Sequence, residues 1–232
     1  MSQVAVVTGA SSGIGEAIVK TLLKNDYNLL GNGRTINSTF TPQSNLILNS
    51  EDLLIPETAQ NLLNMVLQQW QRCDILFVNA GTIESANIET IDIDKMCKMV
   101  RLKVEMSYRI IYTFLKYFKQ INRGHIIITS SVMGTKTREN SGAYAGCNFA
   151  LEALAESLRM ELSETNIQIT CIEPGLVETK LHREWPIQPN ELLNISDKLS
   201  PQDIADSILE ILKKPAHIRI PKYMILPKGH KI

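Results

Sequence analysis

The stretch Val4–Ala5–Val6–Val7–Thr8–Gly9–Ala10–Ser11–Ser12–Gly13–Ile14–Gly15 narrows the fold more than any other part of this chain. A short, β-branched apolar run without polar alternation reads as a strand buried on both faces, the habit of parallel sheets. It empties into a glycine-rich turn, and Glu16 to Leu23 continue at helical spacing. Gly9 permits the sharp exit from the strand. Gly13 and Gly15 carry no Cβ, so backbone and ligand can approach closely. A helix that starts there points its unpaired N–H groups and the positive end of its dipole outward, which suits a pyrophosphate. The spacing is Gly-x-x-x-Gly-x-Gly, not the commoner Gly-x-Gly-x-x-Gly. On these residues alone, a glycine turn without a ligand is the competing reading.

The remaining elements repeat the alternation of strand and helix. Asn28–Gly31, Leu46–Leu48, Asp74–Val78, Gly124–Thr129 and Ile167–Ile172 read as strands, with Ile218–Ile220 and Tyr223–Leu226 supplying a short last one. Helices are expected from Pro56 to Trp70, roughly Ile93 to Ile121, roughly Ser141 to Glu164, and after Ser200–Pro201, where serine caps and proline occupies the first turn. The expected fold is therefore α/β: a doubly wound, Rossmann-type parallel sheet of about seven strands with helices on both faces. Residues 1–232 read as a single domain, with a short substrate lid at about 180–200.

Composition excludes several partners. Lysine plus arginine and aspartate plus glutamate both number 24, giving a net charge of +0. That balance recommends neither nucleic acid nor an anionic membrane. No apolar run approaches the ~20 residues needed to span a bilayer, and no basic-then-apolar leader precedes the first strand. Cys73, Cys97, Cys147 and Cys171 are scattered without a Cys-x-x-Cys pair, so they read as reduced thiols in a cytoplasmic protein with no metal site.

Two side chains can be placed by position. In a dinucleotide fold the tip of the second strand meets the adenosine ribose, where an acid binds the 2′-hydroxyl and an arginine accommodates a 2′-phosphate. This chain has Asn32–Gly33–Arg34 there, which favours NADP(H) over NAD(H); a solvated Arg34 is the alternative. On the long helix, at about 100° per residue, Lys98, Arg101, Glu105 and Arg109 share one stripe. Lys103 falls far around the cylinder near Met96, Val100, Ser107 and Ile110, so an inward lysine is expected, with snorkelling to solvent as the alternative.

Several motifs coincide in order: Thr8–Gly9–x–x–x–Gly13–Ile14–Gly15, Asn79–Ala80–Gly81, Ser131, Tyr144, and Pro174–Gly175–Leu176–Val177–Glu178–Thr179. Together they resemble the short-chain dehydrogenase/reductase family over nearly the whole chain. The resemblance implies hydride transfer between a nicotinamide and a small carbonyl or alcohol. It implies that Tyr144 exchanges a proton with the substrate oxygen and that Ser131 hydrogen-bonds it. Gly9, Ser11, Ser12, Gly13, Ile14 and Gly15 would hold the cofactor's phosphates, and Asn79, Ala80 and Gly81 would border the adenosine. Asn49 sits near the adenine-contacting position, while Pro174, Gly175, Val177 and Thr179 would meet the nicotinamide.

The chain departs from that pattern where the family carries a lysine, four residues after the tyrosine: here it is Asn148. The family's lysine holds the nicotinamide ribose and favours the phenolate. An ordinary phenol, with a pKa of about 10, is ionised to roughly one part in a thousand at pH 7. Carbonyl reduction needs a neutral proton donor, which tyrosine already is, whereas alcohol oxidation needs a base. Counting along the long helix, the family's catalytic asparagine aligns with Lys103, with Arg101 the rival if the alignment shifts by a turn; lysine and asparagine would then have exchanged places, and Lys103 is expected to supply the missing ammonium. The stretch after Arg34 is also too short for a full crossover helix. Two readings follow: an NADP(H)-dependent carbonyl reductase, or a catalytically impaired NADP(H)-binding protein acting as sensor, scaffold or subunit. Family members pack through the two long helices, so a homodimer or homotetramer is expected, with Met99, Leu102 and Met106 as candidate contacts.

Overall fold

In the computed structural model, which describes residues 2–183, 185, 188–192 and 194–231, seven strands build one sheet. They are β1 (Val4–Thr8), β2 (Asn28–Asn32), β3 (Leu46–Asn49), β4 (Ile75–Val78), β5 (Gly124–Thr129), β6 (Ile167–Pro174) and β7 (Lys222–Ile225). All pairings are parallel, in the order β3-β2-β1-β4-β5-β6-β7. From β1 the chain winds outward to β2 and β3, then returns to place β4 on the other side of β1. That reversal opens a crevice at the carboxyl ends of β1 and β4, where ligands bind in such sheets.

The period-two alternation of β1 sorts its side chains onto two cores. Val4 and Val6 join Leu62, Phe114, Phe118 and Leu158 on one face, which α2 (Thr58–Trp70), α4 (Ser107–Ile121) and α5 (Gly142–Glu161) cover. Ala5 and Val7 join Ile18, Leu22, Ile204 and Ile208 on the other, under α1 (Gly13–Leu23) and α7 (Pro201–Leu212). The α7 start carries the expected cap: Ser200 and Asp203 bond each other's backbone N–H groups. Between β2 and β3 there is only a short 3₁₀ turn, Ile36–Ser38, in place of a crossover helix. A four-residue helix, α6 (Pro189–Leu192), lies in the stretch expected to form the lid; part of that stretch falls outside the described residues.

Four expectations need correction. The helix expected from Pro56 begins at Thr58, because Thr58 turns back to Ile55 and Asp52 and holds residues 52–58 in turns. Ile218–Ile220 does not form a strand; Arg219 instead donates to the carbonyls of Ile167 and Thr165, and pairing with β6 is made by Lys222–Ile225. Met99 and Met106 are buried within the chain and cannot serve as contacts between subunits. Finally, the long helix is not uniformly α: α3 (Ile93–Val100) runs into a π-helical turn, Arg101–Met106, before α4.

Candidate active site

The glycine turn after β1 is tightly built. Gly9 and Gly13 have φ of +66° and +55°, values L side chains rarely adopt. A Cβ on Gly15 would stand 2.2 Å from the Gly9 carbonyl oxygen. Ser12 precedes α1 in extended conformation, and its side chain does not cap the helix. The first N–H groups of α1 therefore lack a side-chain acceptor, which is the condition an incoming phosphate needs. Thr179 packs its methyl over Gly13, 3.1 Å from where a Cβ would be. The turn after β6 is thus brought onto the glycine turn.

Asn79 occupies the bend after β4 and is fully engaged. Its amide donates to the Thr8 carbonyl at 3.1 Å, and its Oδ1 accepts from Thr129 at 3.1 Å. Thr8 Oγ1 donates to Phe77 O and accepts from the N–H groups of Asn79 and Ala80. Asn79 stitches β1, β4 and β5 together, so it borders the crevice without a free amide. Asn49 is similarly committed: its Oδ1 accepts from Asn32 at 2.7 Å and from the Glu51 N–H, while its amide meets Met65 Sδ. Arg34 is exposed at the tip of β2, and neighbouring Gly33 lies against Ser11, whose Oγ is 3.0 Å from the Cβ position. Val177 bridges to Leu199, and Glu178 donates to the Leu199 carbonyl, which pins the far end of the expected lid to the turn after β6. Within that stretch His182 and Trp185 pack edge to face at 4.9 Å.

Ser131 and Tyr144 approach from β5 and α5. Ser131 Oγ accepts from the Met133 N–H at 3.1 Å and caps the turn Val132–Gly134, leaving its own proton free to donate. Val132, Met133 and Ala145 form a small apolar cluster against which Tyr144 packs. Asn148 is fully buried; its amide donates to the Tyr144 carbonyl at 2.9 Å, and its Oδ1 has no partner among the described residues. Asn148 therefore serves the backbone of α5 and carries no charge.

The π-helical turn delivers a cation to the same place. Arg101–Glu105 and Arg109–Glu105 pair at 3.5 and 3.0 Å on the solvent side, the stripe expected from spacing. Lys103 faces inward and is 6% exposed. Its Nζ lies 5.4 Å from the centroid of the Tyr144 ring, and its stem packs along Gly81. A π turn closes its hydrogen bonds over five residues instead of four, and Ser107 Oγ also donates to the Leu102 carbonyl, five residues back. Among the described residues no carboxylate pairs with Lys103. Spacing alone anticipated the inward face but not the wide turn, which nothing in residues 101–106 announces.

Other features of the site were not anticipated. Ser85 Oγ donates to the Asn140 carbonyl at 2.5 Å and meets Ser141 Oγ at 3.0 Å, latching the loop after β4 to the start of α5. A groove of about 400 Å³ lies between these loops, lined by Ile88, Ile91 and Met96 with Glu84 and Glu139. Behind Asn148, Glu152 and Glu173 are buried together and share Lys222 at 3.1 and 3.8 Å. Burial and the neighbouring Glu152 carboxyl push Glu173 above the usual carboxylate range. Such pairs are visible only when α5, β6 and β7 are assembled.

Comparisons with known proteins show the family and the fold. Residues 3–190 match the family model described as short chain dehydrogenase. An uncharacterised oxidoreductase of Staphylococcus epidermidis is 29% identical over 231 residues, with 97% of each chain covered. Among solved structures, the alcohol dehydrogenase of the archaeon Thermococcus sibiricus complexed with 5-hydroxy-NADP superposes with a TM-score of 0.87 at 24% identity, covering 100% of this chain and 99% of that one. The closed form of a serine dehydrogenase complexed with NADP⁺ gives a TM-score of 0.89 at 21% identity, covering 99% and 97%. At these identities the superpositions establish the fold.

Proposed function

The chain belongs to the short-chain dehydrogenase family, and from that premise we propose that it is an NADP(H)-dependent reductase of a small carbonyl substrate. The observation that carries this reading is the Lys103 ammonium 5.4 Å from the Tyr144 ring. Bound NADPH supplies the hydride. The protein's part is to hold and move charge and protons. Tyr144 gives its phenolic proton to the carbonyl oxygen, and Ser131 donates a hydrogen bond to the same oxygen. Lys103 stabilises the phenolate left behind, in the place the family fills from the tyrosine's own helix. Asn148 fixes the Tyr144 backbone and takes no part in charge.

The cofactor fits the residues present. Gly9, Gly13, Ile14 and Gly15 give the pyrophosphate a close backbone approach and an uncapped helix start. Ser11, Ser12 and Arg34 form a polar edge suited to a 2′-phosphate, and two solved structural neighbours are complexed with 5-hydroxy-NADP and NADP⁺. Asn49, Asn79, Ala80 and Gly81 wall the adenosine through backbone, since both asparagine amides are engaged. Pro174, Gly175, Val177 and Thr179 border the nicotinamide, with residues of about 180–200 as the substrate lid and 1–232 acting as one unit. Tyr112, Phe149 and Met160 are exposed on the two long helices and support a homodimer or homotetramer. No described helix is long and apolar enough to cross a membrane; a cytoplasmic setting rests on the unpaired cysteines.

The neutral, buried Asn148 favours a second reading, an NADP(H)-binding protein with impaired chemistry. NADPH and NADH consumption against a broad carbonyl panel, run beside a cofactor-binding titration, separates the two. Turnover with preference for NADPH is expected. Tight binding with no turnover on any carbonyl would move the assignment to the second reading.

A further inference from the structure

A buried polar group joins α5 to the end of β6. Under the turn that follows Ser131, three side chains crowd on one point: a Cβ on Gly134 would stand 2.7 Å from Ser130 Oγ, 3.0 Å from Glu152 Cγ and 3.5 Å from Asn148 Cβ. Glu173, the residue of β6 before Pro174–Gly175, completes the group. Lys222 Nζ lies 3.1 Å from Glu152 Oε2 and 3.8 Å from Glu173 Oε1. Ser130, Asn148, Glu152 and Glu173 are all buried, none more than 4% exposed.

These groups are short of hydrogens. Ser130 Oγ, Asn148 Oδ1, both carboxyl oxygens of Glu152 and Glu173 Oε1 are buried without a hydrogen-bond partner among the described residues. With both carboxyls ionised, the Ser130 hydroxyl is the one donor in that set. Lys222 is the one cation at ion-pair distance among the described residues, and its side chain is 41% exposed. Arg159, farther along α5, instead donates to the Pro221 carbonyl at 3.0 Å. Two ionised carboxyls would therefore leave a buried negative charge unmatched. One proton between them removes that charge and supplies a donor. The two carboxyls stand within reach of a hydrogen bond with each other, and such a bond exists only when one of them holds a proton. Burial first, then the Glu152 carboxyl, raise Glu173 against the opposing pull of Lys222. The other titratable groups here keep their charge state as pH rises through neutrality. Burial pushes the Cys171 thiol up to about 12. Burial opposes the Lys222 charge, but the Glu152 and Glu173 carboxyls outweigh it and raise that group.

We propose that Glu152 and Glu173 share one proton, which they release as pH rises, and that the pair is a pH-sensitive fastening between α5, which carries Tyr144, and the end of β6, which leads into the turn laid on the phosphate-facing glycines. Release sets like charges face to face across that contact and loosens both elements together. The sign follows from linkage: a carboxyl raised in the folded state stabilises below its unfolded pKa, and that contribution is lost as pH climbs through the folded value. Glu152 and Glu173 are positioning residues that act through α5 and β6. The fastening stands apart from the carbonyl-reductase reading, and its test needs no turnover.

The test uses the full-length protein at constant ionic strength from pH 6 to 9. Urea melts and NADPH-binding titrations compare wild type with Glu173→Gln and with Glu152→Gln, each of which keeps the shape and removes one charge. The wild-type folding constant is expected to fall with pH by up to about tenfold per unit, the limit for one proton. Either glutamine variant should flatten that slope and equal or exceed wild type in stability at pH 9. NADPH affinity should weaken over the same range in wild type and less in the variants. Infrared difference spectra between pH 6 and 9 should show a neutral carboxyl lost from wild type at a pH where ordinary carboxyls are already ionised. Equal pH slopes in wild type and both variants, variants less stable than wild type even at pH 9, or an NADPH affinity whose pH dependence the variants leave unchanged each overturn the proposal. So does a wild-type stability that follows sodium or potassium at fixed pH, which would mean a bound cation in place of the proton. Should both variants fail to fold, the wild-type infrared spectrum decides: absence of the neutral carboxyl at pH 6 refutes the shared proton.

Discussion

Lys103→Met tests the displaced cation directly. Methionine keeps an unbranched stem of similar length, so packing along Gly81 and Tyr144 is retained while the charge goes. The ammonium lies 5.4 Å from the ring over which a phenolate charge spreads. At an effective dielectric of about 20, that separation gives an attraction of about 3 kcal/mol. If the attraction is realised in the transition state, its loss slows hydride transfer by about two powers of ten. Stopped-flow decay of NADPH absorbance at saturating carbonyl isolates this step from product release. A thermal melt confirms that the variant is folded. If the proposed exchange holds, Lys103→Asn combined with Asn148→Lys is expected to recover more activity than either single change. Hydride transfer by Lys103→Met within threefold of wild type would refute the reasoning, because no charged group at that distance could then matter to the step.

Three further outcomes are expected. Gly15→Ala places a Cβ 2.2 Å from the Gly9 carbonyl, so the turn must open, and an NADPH titration should show affinity lowered more than about tenfold. His125 donates through Nε2 to Thr170, whose hydroxyl is committed to Ile220 O, and burial pushes its pKa down to about 4. Its folded pKa lies below the unfolded ~6.5, so its stabilisation is complete above that pH and lost as pH falls toward 4. At ~1.4 kcal/mol per unit this approaches about 3 kcal/mol, and His125→Gln should flatten the urea midpoint between pH 7 and 4.5. Lys222→Met leaves Glu152 and Glu173 buried without their shared cation. Because Lys222 is itself partly exposed, the loss should be about 1–3 kcal/mol. The raised Glu173 carboxyl makes that loss largest at neutral and alkaline pH, shrinking as acid protonates Glu173, which urea melts at pH 8 and 5 would show.

Local pattern was enough for the architecture. The apolar run of β1, the glycine spacing and the alternation of strands with helices already specify a parallel sheet whose first strand ends in a tight glycine turn at the start of a helix. Each of those signals lives within one element or one turn. The order Ser131, Tyr144, Asn148 was legible for the same reason, and so was the stripe Arg101–Glu105–Arg109. What the chain does with those residues depends on groups distant in sequence. The π turn that aims Lys103, the commitment of Asn49 and Asn79 to backbone, the burial of Met99 and Met106, and the meeting of Glu152 with Glu173 arise only when elements pack. Spacing fixes which side of a helix a residue occupies. Only packing decides what stands opposite it, and so whether a charge is met, spent or left free.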